Sequence, residues 1–374
     1  MKKVILGLSG GVDSAVALVK LKDTYDVKAC FMRNWDSLTN KDVLGNPTID
    51  DDICAQELDY KDAKKVSDSL GVELFRVDFI EEYWDRVFKY FISEYEKGRT
   101  PNPDILCNNE IKFKAFLDYA LKQNTDYIAM GHYAQKDYID GKPALLRAKD
   151  KNKDQTYFLS QLTLEQLDKA LFPIGHMTKQ EVRDLAHAYR LSVSDKKDST
   201  GICFIGERHF NDFLKNYLPA QKGQMKTIDG TYIKDHEGLI FYTIGQRKGL
   251  GIGGLKDYDV EPWFVIGKDI KTNTLYVGQG YHNPYLYSNK CIVKDVIWRD
   301  DKALNKSYSA KFRYRAKDVD VELKWIDETT LEVRYPNKER AVTPGQAAAF
   351  YSGDVCVGGG FIDTVYMDGE RRKY

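Results

Sequence analysis

The 374 residues predict an α/β protein: a parallel-sheet domain over 1–209 followed by two small mostly-β domains, 210–285 and 286–374, the last a β-barrel. Three observations carry this expectation. Strand-like and helix-like patterns alternate up to about residue 131, and a glycine turn stands between the first strand and the first helix. Beyond Gly223 helical periodicity disappears, and short alternating runs split by Gly, Asp and Asn take over.

Val4-Ile5-Leu6 lies in a strand over 2–8, and Ala15-Val16-Ala17-Leu18 in a helix over 14–22. Strand 27–32, helix 54–70, strand 73–78, an aromatic-rich helix 80–96, helix 109–122 and strand 126–131 continue the alternation. Such a sheet is parallel, covered on both faces, and binds its ligand at the carboxyl ends of its strands. Residues 163–190 read as helical, with Thr178 and Glu181 in capping-box spacing, and a short helical stretch falls within 206–217. Runs such as Thr227–Ile233 and Leu275–Val277 then read as short strands.

Ser9-Gly10-Gly11-Val12-Asp13-Ser14 stands at the end of the first strand. Adjacent glycines let the backbone turn tightly and gather N–H groups, and the following helix points its positive end at the same place. The loop therefore suits a phosphate or pyrophosphate. Neither the Walker lysine nor the three-glycine spacing of a dinucleotide fingerprint is present. Met32, at the end of the second strand, either contacts adenine or belongs to the core. Five aspartates between Asp36 and Asp52 read as solvated loop or as donors to a divalent metal.

Lys+Arg and Asp+Glu number 56 each, so no net field attracts a polyanion, and a nucleic-acid site must be a local basic patch. The N-terminus lacks a signal-peptide pattern and no apolar run approaches ~18 residues. The expectation is a soluble cytoplasmic protein with no membrane association. None of Cys30, Cys54, Cys107, Cys203, Cys291 and Cys356 has Cys-x-x-Cys spacing, so no structural metal site is expected. Four of these thiols read as small apolar side chains, whereas Cys107 and Cys203 stand in polar, loop-like settings.

The stretch from Thr100 to Asn109 holds two prolines that stiffen a loop presenting Asp104 and Cys107 before a helix near Asn108. A thiol at a helix start is favoured as thiolate, and Asp104 could act as a general base; a plain structural turn fits the same spacing. Near Cys203, Lys196 and Lys197 add positive charge, against the alternative of a thiol packed beside Ile202 and Phe204. Two such thiols suit persulfide chemistry, one sulfur being loaded and the other resolving the bond.

The motifs SGGVDS, TPNPDILCNNEIKF, GHYA at 131–134, DQTYFL at 154–159, DSTGICFIGER at 198–208 and FYTIGQRKGLGIGG at 241–254 occur in one order. Together they resemble the bacterial tRNA-specific 2-thiouridylases, of the PP-loop ATP pyrophosphatase superfamily, most closely up to about residue 280. The resemblance implies an adenine-nucleotide-hydrolase-like (PP-loop) first domain. It implies that ATP, with Mg2+, is bound by Gly7, Leu8, Ser9, Gly10, Gly11, Val12, Asp13, Ser14, Met32 and Gly131. It implies Asp104 as a base, Cys203 as the persulfide carrier and Cys107 as its partner in a disulfide. The implied substrate is the wobble uridine of tRNAs for Lys, Glu and Gln, with a cysteine desulfurase or sulfur-relay protein as donor. Asn102, Pro103 and Asp104 would meet the base, while His132, Lys153, Asp154, Gln155, Arg313, Tyr314 and Gln346 would touch tRNA. The loop and the α/β pattern alone also suit an ammonia-using adenylating ligase, or a non-catalytic RNA-binding protein.

One strip has its own logic. In Lys311-Phe312-Arg313-Tyr314-Arg315-Ala316-Lys317 charges fall on alternate residues, so a strand would present four cations on one face. That face suits an RNA backbone or is simply the solvated outside of the barrel.

Overall fold

The computed structural model describes all residues except 52–53, 199–200, 202–204, 207, 255–257 and 374. Its first part is a five-stranded sheet: β1 (Lys3–Gly7), β2 (Asp26–Arg33), β3 (Leu74–Asp78), β4 (Tyr127–Ala129) and, after the hairpin strands below, β7 (Ala170–Leu171). The spatial order is β3-β2-β1-β4-β7, and every pairing is parallel. Alternate residues of each strand face opposite sides, so Ile5, Cys30 and Met32 join one core while Val4, Leu6, Ala29 and Phe31 join the other. Burial of both faces explains the apolar runs of β1 and of Ala29–Met32 in β2, whereas edge strand β3 is only partly buried and carries Arg76. Helix α1 (Val12–Leu21) packs in the second core, and its residues Ala15 to Leu18 are wholly buried.

Two helical expectations need correction. The span 163–190 is not one helix: Leu164–Asp168 gives way to β7, and Lys179–Ala188 starts anew. Pro173 lies between the two helices and cannot continue one. Each has a complete capping box, Thr163 with Gln166 and Thr178 with Glu181. The helix expected from 109 begins instead at Pro103, where Asn102 caps it by accepting from the Asp104 amide at 3.1 Å. It continues through a π-helical stretch, Cys107–Ala115, to Lys122.

The hairpin of β5 (Ala134–Ile139) and β6 (Lys142–Arg147) turns at Asp140-Gly141, both with positive φ. Such a turn matches the twist of the flanking strands. This ribbon leaves the parallel sheet and joins the C-terminal sheet, Leu146 pairing with Val355 and Leu145 with Cys356.

The central β part holds β8 (Gly223–Lys226), β9 (Tyr232–His236), β10 (Trp263–Asp269) and β11 (Thr274–Gln279), in the order β10-β11-β8-β9. Met225, Val265, Leu275 and Val277 form its core. The last part holds β12 (Tyr287–Trp298), β13 (Tyr308–Lys311), β14 (Val319–Trp325), β15 (Leu331–Arg340), β16 (Ala347–Ser352) and β17 (Val355–Met367). Their order is β12-β15-β14-β13-β16-β17, and β12 also pairs with β17, closing a six-stranded barrel around Val293, Val333, Phe350 and Ile362.

The alternating strip does not survive as a strand. β13 ends at Lys311, and residues 312–316 form a bend and turn, although Arg313, Arg315 and Lys317 are all exposed.

Candidate active site

The glycine loop lies at the carboxyl end of β1. Gly10 has φ +76, and a Cβ there would collide with the Asp59 backbone carbonyl. Gly131, after β4, comes so close to α1 that a Cβ would lie 2.8 Å from the Ser14 amide nitrogen. Both positions thus need glycine for different reasons, one for backbone conformation and one for contact. Ser14 Oγ accepts from the Ser9 amide at 3.1 Å and donates to the Gly11 carbonyl at 3.0 Å, which fixes the loop from within.

No side chain caps the N-terminus of α1. The first intrahelical bond runs from the Ala15 amide to the Gly11 carbonyl, so the Val12, Asp13 and Ser14 amides have no acceptor within the helix. An uncapped helix start beside a glycine turn fits an anionic ligand, and this geometry agrees with ATP phosphates. Leu8 and Val12 send their side chains into the core and can meet a nucleotide only through backbone. Met32 is buried, and with Met130 it packs over Gly7, where a Cβ would lie 3.0 Å from Met32 Cε and 2.8 Å from Met130 Sδ.

Charged groups surround this loop, and of these Lys179, Asp59 and Asp62 are not singled out by local sequence pattern. Asp13 accepts from the Tyr133 hydroxyl and from Lys179 Nζ, both at 2.8 Å. Lys179 also bridges Asp198 at 2.6 Å, and Lys153 reaches the other Asp198 oxygen at 2.8 Å. Burial alone would raise the Asp198 pKa, but hydrogen bonds from Lys153 and Lys179 hold it down at about 2. Lys196 Nζ donates to the Gly10 carbonyl at 3.0 Å and is held by Asp59 and Asp62. Lysines arriving from distant sequence thus stand around the loop, each paired with carboxylates.

Asp104 stands half-buried in the first turn of its helix, with Asn102 and Pro103 before it. Cys107 is fully buried, one turn into the helix, so the expectation of a thiol at the helix start in a polar loop is overturned. The start falls at Asn102–Asp104, and the dipole acts there. Cys203 lies outside the described residues. The flank beyond it is fixed: Arg208, 6% exposed in its side chain, bridges the wholly buried Asp42 at 2.8 Å, which also accepts from Trp35 Nε1 at 2.9 Å.

Several residues expected to meet tRNA also make contacts within the protein. His132 is buried between Phe113 and Phe172; burial and the charge of Lys112 push its pKa well below the usual value, keeping the imidazole neutral. Asp154 is buried and accepts from the Ala148 amide and the Thr156 hydroxyl. Gln155 Oε1 accepts from the Tyr133 amide, and the Gln155 amide donates to the Tyr133 carbonyl. Lys153 serves the cluster around Asp198. Tyr314 packs on Phe158 with ring centroids 4.3 Å apart. Arg313 Nη2 donates to the Ile244 and Ala341 carbonyls and to Thr343 Oγ1, and Gln346 Nε2 donates to the Thr100 carbonyl at 2.6 Å. His132 and Asp154 are buried, whereas Arg313 is exposed and the Lys153 side chain keeps 40% of its surface open to solvent. Arg315 and Lys317 are exposed.

The segment 153–158 instead joins the parts. Gln155 connects to Tyr133 and so to Asp13; the Phe158 carbonyl accepts from Asn108 at 3.4 Å; and the Tyr157 hydroxyl meets the Asn102 side chain and donates to the Ala347 carbonyl of β16.

A parallel sheet ending in an uncapped glycine loop, ringed by paired lysines and extended by β modules, defines an α/β protein of the PP-loop nucleotide-binding class. Three family descriptions match in series: "tRNA methyl transferase HUP domain" at residues 2–207, "tRNA methyl transferase PRC-barrel domain" at 211–279 and "Aminomethyltransferase beta-barrel domain" at 288–362. The chain is similar to the tRNA-specific 2-thiouridylase MnmA of Acholeplasma laidlawii, with 64% identity over 100% of this chain and 99% of that one. It is likewise similar to those of Aster yellows witches'-broom phytoplasma (58%, 100% of both chains) and Bacillus cytotoxicus (50%, 100% of this chain and 97% of that one). The chain belongs to the tRNA-specific 2-thiouridylase family.

Proposed function

We propose that this protein is an ATP-dependent tRNA sulfurtransferase that converts the wobble uridine of tRNAs for Lys, Glu and Gln to 2-thiouridine in the cytoplasm. The observation that carries the reading is the uncapped, lysine-ringed glycine loop in a chain that matches 2-thiouridylases along its whole length. The division of labour follows the three segments 1–209, 210–285 and 286–374, catalytic, central and tRNA-holding.

In this reading Ser9 to Ser14 hold the phosphates of ATP, accompanied by Mg2+, and Gly131 allows the close approach. Uracil O2 attacks the α-phosphorus, pyrophosphate leaves, and Asp104 takes the uridine N3 proton as charge moves to oxygen. The adenylated oxygen is then a good leaving group. The terminal sulfur of a Cys203 persulfide attacks C2, Cys107 attacks the sulfur–sulfur bond, and AMP departs, leaving 2-thiouridine and a Cys107–Cys203 disulfide. A thiol reductant restores the dithiol, and a cysteine desulfurase or relay protein reloads Cys203. The base must leave its stack to reach this site, at a cost of a few kcal/mol, which accounts for RNA-holding modules after a complete nucleotide domain. The burial of Cys107 requires its helix start to open during the second half-reaction.

The test is mass spectrometry of nucleosides after incubation of protein, ATP, tRNA and a persulfide donor. 2-Thiouridine with AMP and pyrophosphate supports the reading, and ADP as product refutes it. Cys203→Ser should acquire no persulfide, whereas Cys107→Ser should load sulfur but not complete transfer. Full activity of the double variant would favour an ammonia-using ligase.

A further inference from the structure

The four residues Lys97 to Thr100 close the helix Lys89–Glu96 and lead directly into Pro101 and the Asn102-Pro103-Asp104 loop. Gly98 takes the left-handed turn at φ +73, with Ile270 of the central module so close that a Cβ would collide with it. Arg99 bridges Glu94 at 3.4 Å on its own helix and Asp363 of β17 at 2.5 Å. The Thr100 amide donates to the Pro344 carbonyl, its carbonyl accepts from Gln346, and its hydroxyl lies 3.3 Å from that of Thr243. Barrel and central module therefore grip the same short segment.

One member of this grip is costly. Lys268 of β10 is 6% exposed, and its Nζ donates to the Gly98 carbonyl at 3.0 Å. Among the described residues no carboxylate lies within ion-pair distance of that ammonium. Burial pushes its pKa down to about 7. An apolar side chain of the same length would fill this space without the desolvation penalty, so stability alone gives no reason for an amine. What the amine adds is direction: it bonds one carbonyl, four residues before Asn102.

We propose that Lys268 is a positioning residue, which fixes the Asn102-Pro103-Asp104 loop from the central module by holding the Gly98 carbonyl. The proposal rests on the reading that this loop meets the uridine. Lys268 itself touches no reacting atom and does not reach the ATP loop. Losing the bond lets the segment shift, and misplacement of about 1 Å at a reacting group lowers turnover by as much as a hundredfold.

The experiment compares the full-length wild type with Lys268→Met, which keeps the stem and removes the donor, by hydrogen exchange of the peptide spanning 98–107, by ATP binding and by steady-state thiolation. Expected are faster exchange in that peptide, unchanged exchange in residues 8–15, unchanged ATP affinity, and kcat lowered at least tenfold with little change in KM for ATP. Wild-type exchange in 98–107, or an equal loss of protection throughout the chain, overturns the proposal. Lys268→Gln, which keeps a donor of shorter reach, is measured in the same way if the methionine variant does not fold. It should show the same localised loss. If the wild type makes no 2-thiouridine the functional reading fails, while the exchange data still decide whether Lys268 holds the segment.

Discussion

The Lys196 ammonium reaches back to the nucleotide loop and donates to the Gly10 carbonyl at 3.0 Å, while Asp59 and Asp62 hold the same nitrogen at 2.8 and 2.9 Å. The segment that runs on to Cys203 is thus tied, near its start, to the loop that would cradle ATP. Lys196→Met should raise KM for ATP several-fold, in keeping with the roughly 1–3 kcal/mol carried by a charge-assisted hydrogen bond. The side chain is partly exposed, so the fold should survive. ATP titration of AMP release checks this, and an unchanged KM and kcat would remove Lys196 from the nucleotide site.

Two glycines can be tested against each other. Gly10→Ala meets both an unfavourable φ and a backbone collision, and should cost about 1–3 kcal/mol of stability as well as ATP turnover. Gly131→Ala, at a position outside the positive-φ region, should mainly displace the start of α1 and weaken ATP binding. Denaturant unfolding together with equilibrium ATP binding separates the two effects; equal stability losses in both variants would contradict the distinction.

His132 predicts an acid limb in the stability curve. Its pKa is depressed in the folded protein, so below the ordinary value of about 6.5 the unfolded chain takes up a proton that the native state refuses. The contribution is complete above that pH and is lost progressively as pH falls below it. His132→Phe, set among Phe113 and Phe172, should lose less in Tm between pH 7.5 and 5.5 than the wild type does. Parallel Tm–pH curves for the two proteins would show that other groups set the acid limb.

Arg313 and Arg315 should separate cleanly. Arg313→Met removes the donor shared by the Ile244 and Ala341 carbonyls and Thr343 Oγ1 at the junction of the central module and barrel, and should destabilise the protein by about 1 kcal/mol. Arg315→Glu lies on the exposed turn; it should leave stability alone but weaken tRNA binding and lower the salt slope by about one for each phosphate no longer neutralised. A salt series of binding measurements decides, and a wild-type slope for Arg315→Glu would make the turn a bystander.

The α/β part was legible because its central strand is an apolar run and strands alternate with helices, and the glycine loop because its chemistry is local in sequence. Barrel closure followed from the density of short strands. What escaped was set by tertiary contact. Nothing in Asp154 or Gln155 signals that their side chains are consumed by Ala148, Thr156 and Tyr133. The alternation in 311–317 is a valid strand pattern, but β13 ends at Lys311 and the chain turns over 312–316, which no local feature of the sequence announces. The helix carrying Cys107 starts earlier than Asn108 suggests, although Asn102-Pro103, a cap followed by proline at the first helical position, is a readable start. Asp140-Gly141 between alternating residues likewise marks a hairpin, but which sheet it joins is not written locally.

That ribbon has a consequence for how the chain is made. Residues 134–147 leave the ribosome long before Val355 and Cys356, the partners of Leu146 and Leu145, exist. Until synthesis is nearly complete, one edge of β6 has bare amides and carbonyls, the kind of surface that recruits foreign strands. A fragment ending near residue 209 would retain that bare edge permanently and should self-associate, whatever the quality of its own parallel sheet. The nascent first part must therefore remain sheltered or loosely folded until the final barrel strand arrives to cover it.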